Sequence, residues 1–383
     1  MNTFKKSAKL LAIVLLSIIV LVVLLFTINL IFTRLELDKR ISMQKDHILN
    51  LKQIYNSDGY TPFDEQSIAN FDLNNASEYS FVDTRYIGTH NSYKAKSTGY
   101  CAFANNVVEF VTNDSPIAYS YYFSSLTDQL NSGIRSLELD FLPHYNGFFE
   151  CTHHAYMDTA SNSPDLKLAF REIAMWSENN PNHLPITILL ESKKWYIPLL
   201  GKNPTEKSLK ELDNIIKLEL KDSLMTPSDM LNGYSNFEEM RNADAYPTLD
   251  KMLGKVIVIL HPSNISQVYY DMHKDTNLEN SAMFLAESNN DLSRYSCFAL
   301  CNDPTNTKEM NRLYEENYFI RTRIDSYPHY SEENHNSAIN SPANILSTDY
   351  PIRDYRLDDG YILEGIIGNY YSTLRNSSVY KIL

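Results

Sequence analysis

The amino-acid sequence predicts an α/β protein whose strands run parallel and close as a (β/α) barrel. Three observations carry this expectation. From Ser80 onward, short apolar runs alternate with helical patterns over about 300 residues. Strand-like runs occupy 80–87, 134–142, 186–190, 256–260, 282–286, 318–324 and 343–347. No glycine-rich dinucleotide turn accompanies them, which favours a barrel over a doubly wound sheet. The expected architecture is a TIM-like (β/α) barrel, irregular where an eighth strand is short or missing, preceded by an N-terminal transmembrane helix.

The first element is the run “LLAIVLLSIIVLVVLLFTINLIF” (10–32), which contains no charged residue. At 1.5 Å per helical residue it spans the roughly 30 Å hydrocarbon core. It is long for a signal peptide and lacks a small-residue cleavage pattern, so an uncleaved anchor is the expectation. Lys5, Lys6 and Lys9 precede it, favouring a cytoplasmic N-terminus, although Arg34, Lys39 and Arg40 follow. The rest of the chain is then extracellular or lumenal, or secreted if the segment is cleaved. Residues 33–55 read as a short helix rising from the membrane, and 56–80 as polar linker or surface packing. The expected division is 1–35 anchor, 36–80 stalk and 81–383 catalytic barrel. Within the barrel, “DLKLAFREIAMWSENN” (165–180) and “TEKSLKELDNIIKLELKDSL” (205–224) have apolar residues at helical spacing.

Composition narrows the function. The chain of 383 residues has a net charge of −13 and no basic block after its N-terminal region, which argues against nucleic-acid binding. Cys101, Cys151, Cys297 and Cys301 show no zinc spacing. They are either two disulfides, with Cys297–Cys301 locally plausible, or four buried thiols.

Chemistry-bearing residues gather at predicted strand ends. “YIGTHNSYK” (86–94) closes a strand-like run with His90 and Asn91. Alone, the tripeptide reads as a capped turn. In “GIRSLELDF” (133–141), alternation puts Glu138 and Asp140 on one face. Two carboxylates on the inner face of a barrel strand repel each other. One is protonated, a cation binds, or the strand end lets both reach solvent. In “ITILLESKK” (186–194), Glu191 ends an apolar run, where barrel enzymes keep their active sites. Asn91, Glu138, Asp140 and Glu191 offer oxygen only, a set suited to calcium and less well to magnesium. “FFECTHHAYMD” (148–158) adds His153 and His154, which point to opposite faces if the segment is extended. Histidines beside a cation suit acid–base work on a phosphate ester. Without the carboxylates they would read as a surface pair. Arg321 and Arg323 alternate along their strand and are candidates for phosphate, as, more weakly, is Lys193. An ion pair with Asp325 or another acid is the competing role for the arginines.

The ordered set THNSY, SLELD, HAY and ILLES resembles the calcium-dependent phosphatidylinositol-specific phospholipases C. “YPTLDKMLGKVIVIL” (246–260), “YFIRTRIDS” (318–326) and “ANILSTDYP” (343–351) resemble its bacterial and fungal branch. The resemblance covers roughly residues 81–351 and implies a TIM-like barrel holding one calcium ion. It implies that His90 stabilises the transition state at phosphorus, and that Asn91, Glu138, Asp140 and Glu191 ligate the metal. It makes His154, with His153 as alternative, the general acid for the diacylglycerol leaving group. Glu138 would take the proton of the inositol 2-hydroxyl, and the first product would be a cyclic inositol phosphate. The eukaryotic signalling members carry lysines for ring phosphates where this chain has Ile259, Leu260 and His261. The implied substrate is therefore unphosphorylated phosphatidylinositol or a related inositol lipid. A glycerophosphodiester phosphodiesterase fits less well, because its first histidine usually precedes Arg-Gly and here “HNS” follows. A catalytically silent, surface-anchored lipid-binding domain is opposed by the full complement of histidines and carboxylates.

Overall fold

A computed structural model of the chain describes residues 2–97, 121–154, 159–195, 201–287, 293–328, 330–350, 363 and 365–375. Its strands are β1 (Thr84–Thr89), β2 (Ser136–Pro143), β3 (Phe149–Glu150), β4 (Ile186–Ser192), β5 (Leu224–Met225), β6 (Val256–Leu260), β7 (Phe284–Glu287), β8 (Ser296–Leu300), β9 (Phe319–Arg323), β10 (Ile345–Thr348) and β11 (Ser372–Leu374). Eight of them, β1-β2-β4-β6-β7-β8-β9-β10, pair in parallel in that order. β10 returns to pair with β1, which closes the barrel. The eighth strand absent from the sequence reading is β8, “SCFAL”, a short run that follows a 3₁₀ turn. β3 folds back antiparallel on β2, and β11 lies antiparallel on β1.

Two of the closing contacts show why the chain has the residues it does. Gly88 on β1 faces Ser136 on β2, and a Cβ at Gly88 would fall 2.7 Å from the serine Cβ. Any side chain there would wedge the barrel apart at its seam. At the base, Arg135 is wholly buried and its guanidinium pairs with Glu65, with one bond of 3.1 Å (Nε to Oε2). Burying either charge alone would be costly, so this pair locks the segment after the first helix under the barrel.

Helices cover the outside. Helix α1 runs unbroken from Asn2 to Tyr55, and α2 spans Leu126–Asn131. Helix α3 (Leu166–Asn179) starts at Asp165, whose carboxylate accepts the Lys167 amide at 3.0 Å. Its Leu166, Ala169, Phe170, Ile173 and Trp176 are buried, which is the face expected from their spacing. Helix α4 (Glu206–Leu220) opens with a Thr205/Ser208 capping box and buries Leu209, Leu212 and Ile216. The apolar residues of α1 from Leu10 to Leu25 are largely exposed, whereas Leu37, Ile48 and Leu51 are buried. Those three aliphatic side chains each contribute about 1.5–3 kcal/mol when fully buried, so the second half of α1 belongs to the packed body.

Cys151, Cys297 and Cys301 are buried free thiols, so the Cys297–Cys301 bridge considered from sequence does not form. Cys297 lies within β8 and Cys301 just after it. At about 3.3 Å per strand residue they are too far apart to bridge. Cys101 lies outside the described residues.

His183 sits wholly buried between α3 and β4. It shares a hydrogen bond of 2.7 Å with the Ser177 hydroxyl, and its Nδ1 lies 2.7 Å from the Leu184 carbonyl. Burial pushes its pKa down to about 3. The unfolded chain therefore binds a proton near pH 6.5 that the folded chain refuses, and stability falls as pH drops below that value. Between pH 7 and pH 5 this one group should cost about 2 kcal/mol. Urea unfolding should show that the parent loses this much more than a His183→Gln variant over the same interval. Equal losses would assign the acid sensitivity to other groups.

Candidate active site

Because the eight strands are parallel, their C-terminal ends form one mouth, and His90, Asn91, Glu138, Asp140, Glu191, Lys193, Arg321 and Arg323 meet there. Asp140 on β2 is in register with Glu191 on β4, and Glu138 lies two residues earlier on the same face. Carboxylate oxygens of Glu138, Asp140 and Glu191 all lie within 4.8 Å of one another. Glu138 and Asp140 are buried, and Glu191 is partly exposed. Asn91 follows β1 with a left-handed backbone (φ 52°), a conformation Asn tolerates better than most residues. Its Oδ1 accepts from the Tyr93 hydroxyl at 3.2 Å, and the same hydroxyl lies 2.6 Å from Asp140 Oδ2. Tyr93 therefore ties Asn91 to the carboxylate cluster.

Arg321, Lys193 and the His90 ring face this negative charge from three directions. Arg321 on β9 lies 2.6 Å from Glu138, and its Nη2 also donates to Ser347 at 3.0 Å. His90 Nε2 is 3.6 Å from Glu138 Oε1. Lys193 reaches between Glu191 at 2.7 Å and Asp140 at 3.1 Å. Burial acts to raise the Glu138 pKa, but His90 and Arg321 outweigh it and the net shift is downward. Asp140 goes the other way. Burial, aided by the Glu191 and Glu138 charges, holds it well above the ordinary carboxylate range despite Lys193. For Lys193, burial opposes the charge, but Asp140 and Glu191 more than offset it and raise the pKa.

A second network begins on the other side of His90. Its Nδ1 lies 2.5 Å from Asp349 Oδ1, just after β10. Asp349 Oδ2 accepts from Arg323 at 2.6 Å and from the Tyr327 amide at 2.9 Å. Burial would raise Asp349, but His90 and Arg323 pull it down to about 2. Buried Asp325, in contrast, is raised to about 7 by burial and by the Asp349 charge. It accepts from the Thr348 hydroxyl at 2.6 Å and the Asp349 amide at 2.8 Å, so it orients the acid that orients the histidine. The Tyr121 hydroxyl accepts from Asn91 at 2.7 Å and lies 3.2 Å from His90 Nδ1.

Both arginines proposed for phosphate thus hold acids within the protein, Glu138 and Asp349, and Arg323 does not pair with Asp325. Lys193 likewise faces the carboxylate cluster. His153 and His154 follow β3 at the mouth end in a bend, not an extended strand, and their rings meet edge to face at 4.3 Å. They do not take opposite faces. Asp349, Tyr93 and Tyr121 were not singled out from sequence, and Asp325 was named only as an ion-pair partner for the arginines. Asp349 ends a strand-like run within “ANILSTDYP”, as Glu191 does, although Ser347 and Thr348 separate it from the apolar pair Ile345-Leu346.

A parallel barrel whose mouth joins a histidine–carboxylate pair to clustered oxygen ligands has the parts of a metal-assisted phosphodiesterase. Residues 80–150 and 145–370 match the profile of the family described as phosphoinositide phospholipase C, Ca2+-dependent, and the chain belongs to that family. No curated protein matches it. Among solved structures it is similar to the calcium-dependent phosphoinositol-specific phospholipase C of the Gram-negative bacterium Pseudomonas sp., apo form. That likeness has 18% identity over 78% of this chain and 96% of that one, with a TM-score of 0.52. The myoinositol complex of the Pseudomonas enzyme gives 17% identity, 79% and 97% coverage, and 0.52. A Ca2+-dependent phosphatidylinositol-specific phospholipase C from Streptomyces antibioticus gives 17% identity, 71% and 95% coverage, and 0.52. At such identities these structures speak for the fold.

The residues present fit the family's calcium. Three carboxylates converge in one oxygen-lined cluster, and buried Asp140 Oδ1 has no hydrogen-bond partner among the described residues. An orphaned carboxylate oxygen in an all-oxygen cluster suits a hard cation. Lys193 occupies two of the same carboxylates, so it competes with the metal for them. Replacing it in a Lys193→Met variant should tighten calcium binding about tenfold by titration calorimetry, a change worth roughly 1.4 kcal/mol. The same variant should melt at lower temperature than the parent without calcium, because the carboxylates lose their counter-charge. Weaker calcium binding by the variant would mean that Lys193 supports the metal instead of competing with it.

Proposed function

We propose that the site cleaves the glycerol–phosphate bond of phosphatidylinositol-type lipids, with His90 as the residue around which the reaction is arranged. The observation that carries this reading is the placement of His90 between Asp349, 2.5 Å from Nδ1, and Glu138, 3.6 Å from Nε2. With Nδ1 held by Asp349, the ring turns Nε2 toward the carboxylate side, where an Nε2–H would donate to a phosphoryl oxygen as charge builds on it. The inositol 2-hydroxyl oxygen attacks phosphorus, and its proton passes to Glu138, which His90 and Arg321 keep ionised. The bond from phosphorus to the glycerol oxygen breaks, and His154 protonates that oxygen as diacylglycerol departs. The product is a cyclic inositol phosphate, which water can open in a second step. Because the nucleophile belongs to the substrate, proximity supplies part of the acceleration. Asn91, Glu138, Asp140 and Glu191 are the residues that would hold calcium, which when bound supplies positive charge to the phosphate and to the attacking oxygen.

One feature favours a ring without extra phosphates. The end of β6 presents Ile259, Leu260 and His261, with no lysine among them. We further propose that residues 10–32 remain as a membrane anchor, with 36–80 and the barrel on the far side. α1 is long and apolar enough to cross a bilayer, and its apolar stretch is not covered by the barrel. A signal sequence passes the same test of length and composition.

Calcium-dependent release of diacylglycerol from phosphatidylinositol, abolished by chelator, is the first test. His154→Ala should lower kcat about a hundredfold or more, and His153→Gln much less. A nitrophenyl inositol phosphate, whose leaving group needs no proton, should restore most of the His154→Ala loss. Equal effects of the two substitutions, or no such recovery, would remove His154 from the acid role. In matched micelles, phosphatidylinositol should be cleaved at least as fast as its 4,5-bisphosphate. A strong preference for the bisphosphate would overturn the reading of β6.

A further inference from the structure

A flexible tether would suffice to keep a barrel near a membrane, yet α1 does not end where its apolar stretch ends. Residues 33–40, “TRLELDKR”, contain no glycine or proline and continue the helix. Side chains bind successive turns across this junction. The Thr33 hydroxyl donates to the Asn29 carbonyl at 2.6 Å, Arg34 pairs with Asp38 at 3.1 Å, and Arg40 pairs with Glu36 at 2.7 Å. The helix then docks on the barrel wall along α3. Buried Gln44 makes two reciprocal bonds to the backbone of Asp165, donating to its carbonyl at 3.1 Å and accepting from its amide at 2.9 Å. His47 lies 3.2 Å from Glu172, midway along α3. The Tyr60 hydroxyl and the Phe63 amide both donate to the Asn180 side chain, at the far end of α3, at 3.0 and 2.6 Å.

The order of these contacts sets a direction. α3 leads into β4, so its start, Asp165, is at the mouth and Asn180 is at the base. α1 therefore enters at the mouth and descends to the base. Arg40, which lies before the docked stretch, donates to the carbonyls of Ser161 and Lys96 at 3.3 and 3.4 Å. Those residues belong to the loops after β3 and β1, which pair with each other through Lys94 and Ser161 at the rim of the site. From Phe32 to Arg40 the helix rises about 12 Å, of which roughly 5–7 Å is headgroup zone. The rim thus stands within a few ångströms of the headgroups, and the base points away.

We infer that α1 is a rigid bracket that turns the barrel mouth toward the very bilayer that carries residues 10–32 and holds it at headgroup height. The site is thereby supplied with inositol lipid from its own membrane, not from an apposed one. This rests on the reading of residues 10–32 as a retained anchor. The bracket itself is the contact series from Arg40 to Asn180.

Full-length chain with Cys101 replaced by serine is reconstituted into phosphatidylinositol-containing vesicles, with one fluorophore at Tyr145→Cys or at Asp58→Cys. Tyr145 is exposed in the turn between β2 and β3 at the mouth, and Asp58 is exposed at the base. The remaining described cysteines are buried. A quencher on the lipid headgroup should quench position 145 several-fold more strongly than position 58. Inserting eight Gly/Ser residues between Phe32 and Thr33 should bring the two positions close to equal, while the chain stays in carbonate-washed vesicles. Stronger quenching at 58, or equal quenching in the parent, would overturn the orientation and leave the anchor standing. Release of the parent by carbonate, with a mature N-terminus beyond residue 32, would overturn the anchor and the bracket with it.

Discussion

Glu138, Asp140 and Glu191 sit on adjacent strands with oxygens inside 4.8 Å, two of them buried. Unit charges about 4 Å apart repel by about 4 kcal/mol at an effective dielectric of 20, and there are three such pairs to hold. Most of what surrounds them answers that repulsion. Arg321 comes from β9 across the barrel, Lys193 from just beyond β4, and His90 from the end of β1. Each counter-charge lies on a different element, so the cluster is only tolerable when the barrel is closed. The opposite shifts of Glu138 and Asp140 follow from this division. The first faces Arg321 and the His90 ring, and the second has one cation, Lys193, against two carboxylates.

His90 connects this cluster to the second network. Asp349 and Arg323 lie after and on the strands that complete the barrel, β10 and β9, and Asp325 supports Asp349 from below. A ring held at Nδ1 by one acid and facing another through Nε2 has little freedom to rotate. Pre-organisation of this kind is what electrostatic stabilisation of a phosphoryl transition state requires. It also explains why two arginines that look free for substrate in a sequence are engaged in the structure. In a closed barrel, inward-facing cations and anions at the mouth find each other before any ligand arrives.

Period-2 alternation was enough to place Glu138 and Asp140 on one face, and the ends of apolar runs located His90, Asn91 and Glu191. Those signals are local, and barrel topology turns them into a site. Three things were not legible. β8 is a short strand that begins with Ser296 and Cys297, so its apolar run is weak although four of its five residues are buried. The pairings of Arg321, Arg323 and Lys193 depend on distances across the barrel, which sequence spacing does not encode. The relation of His153 to His154 depended on whether their segment is extended, and the bend there brings the rings together. Residues 33–55 were legible as helix but not as packed helix. Their buried side chains, Leu37, Gln44, Ile48 and Leu51, are spaced like any amphipathic surface, and only the partner α3 shows which way the helix runs.

That direction matters because confinement to a surface raises the effective concentration of enzyme and substrate only when geometry allows them to meet. A barrel on a flexible stalk samples every orientation, and its mouth faces lipid for a fraction of the time. Docking α1 beside α3 removes those rotations once, during folding, instead of at each encounter. The same segment then passes beneath the barrel, where Glu65 meets Arg135, so it is fixed at both the rim and the base. A helix held at both ends of a rigid body cannot swivel without breaking buried hydrogen bonds at Gln44 and the buried ion pair at Arg135. The carboxylate cluster, His90 and the path of α1 are therefore parts of one arrangement. On the proposed function and anchor, the first two set where a phosphate sits, and the third sets the side from which it arrives.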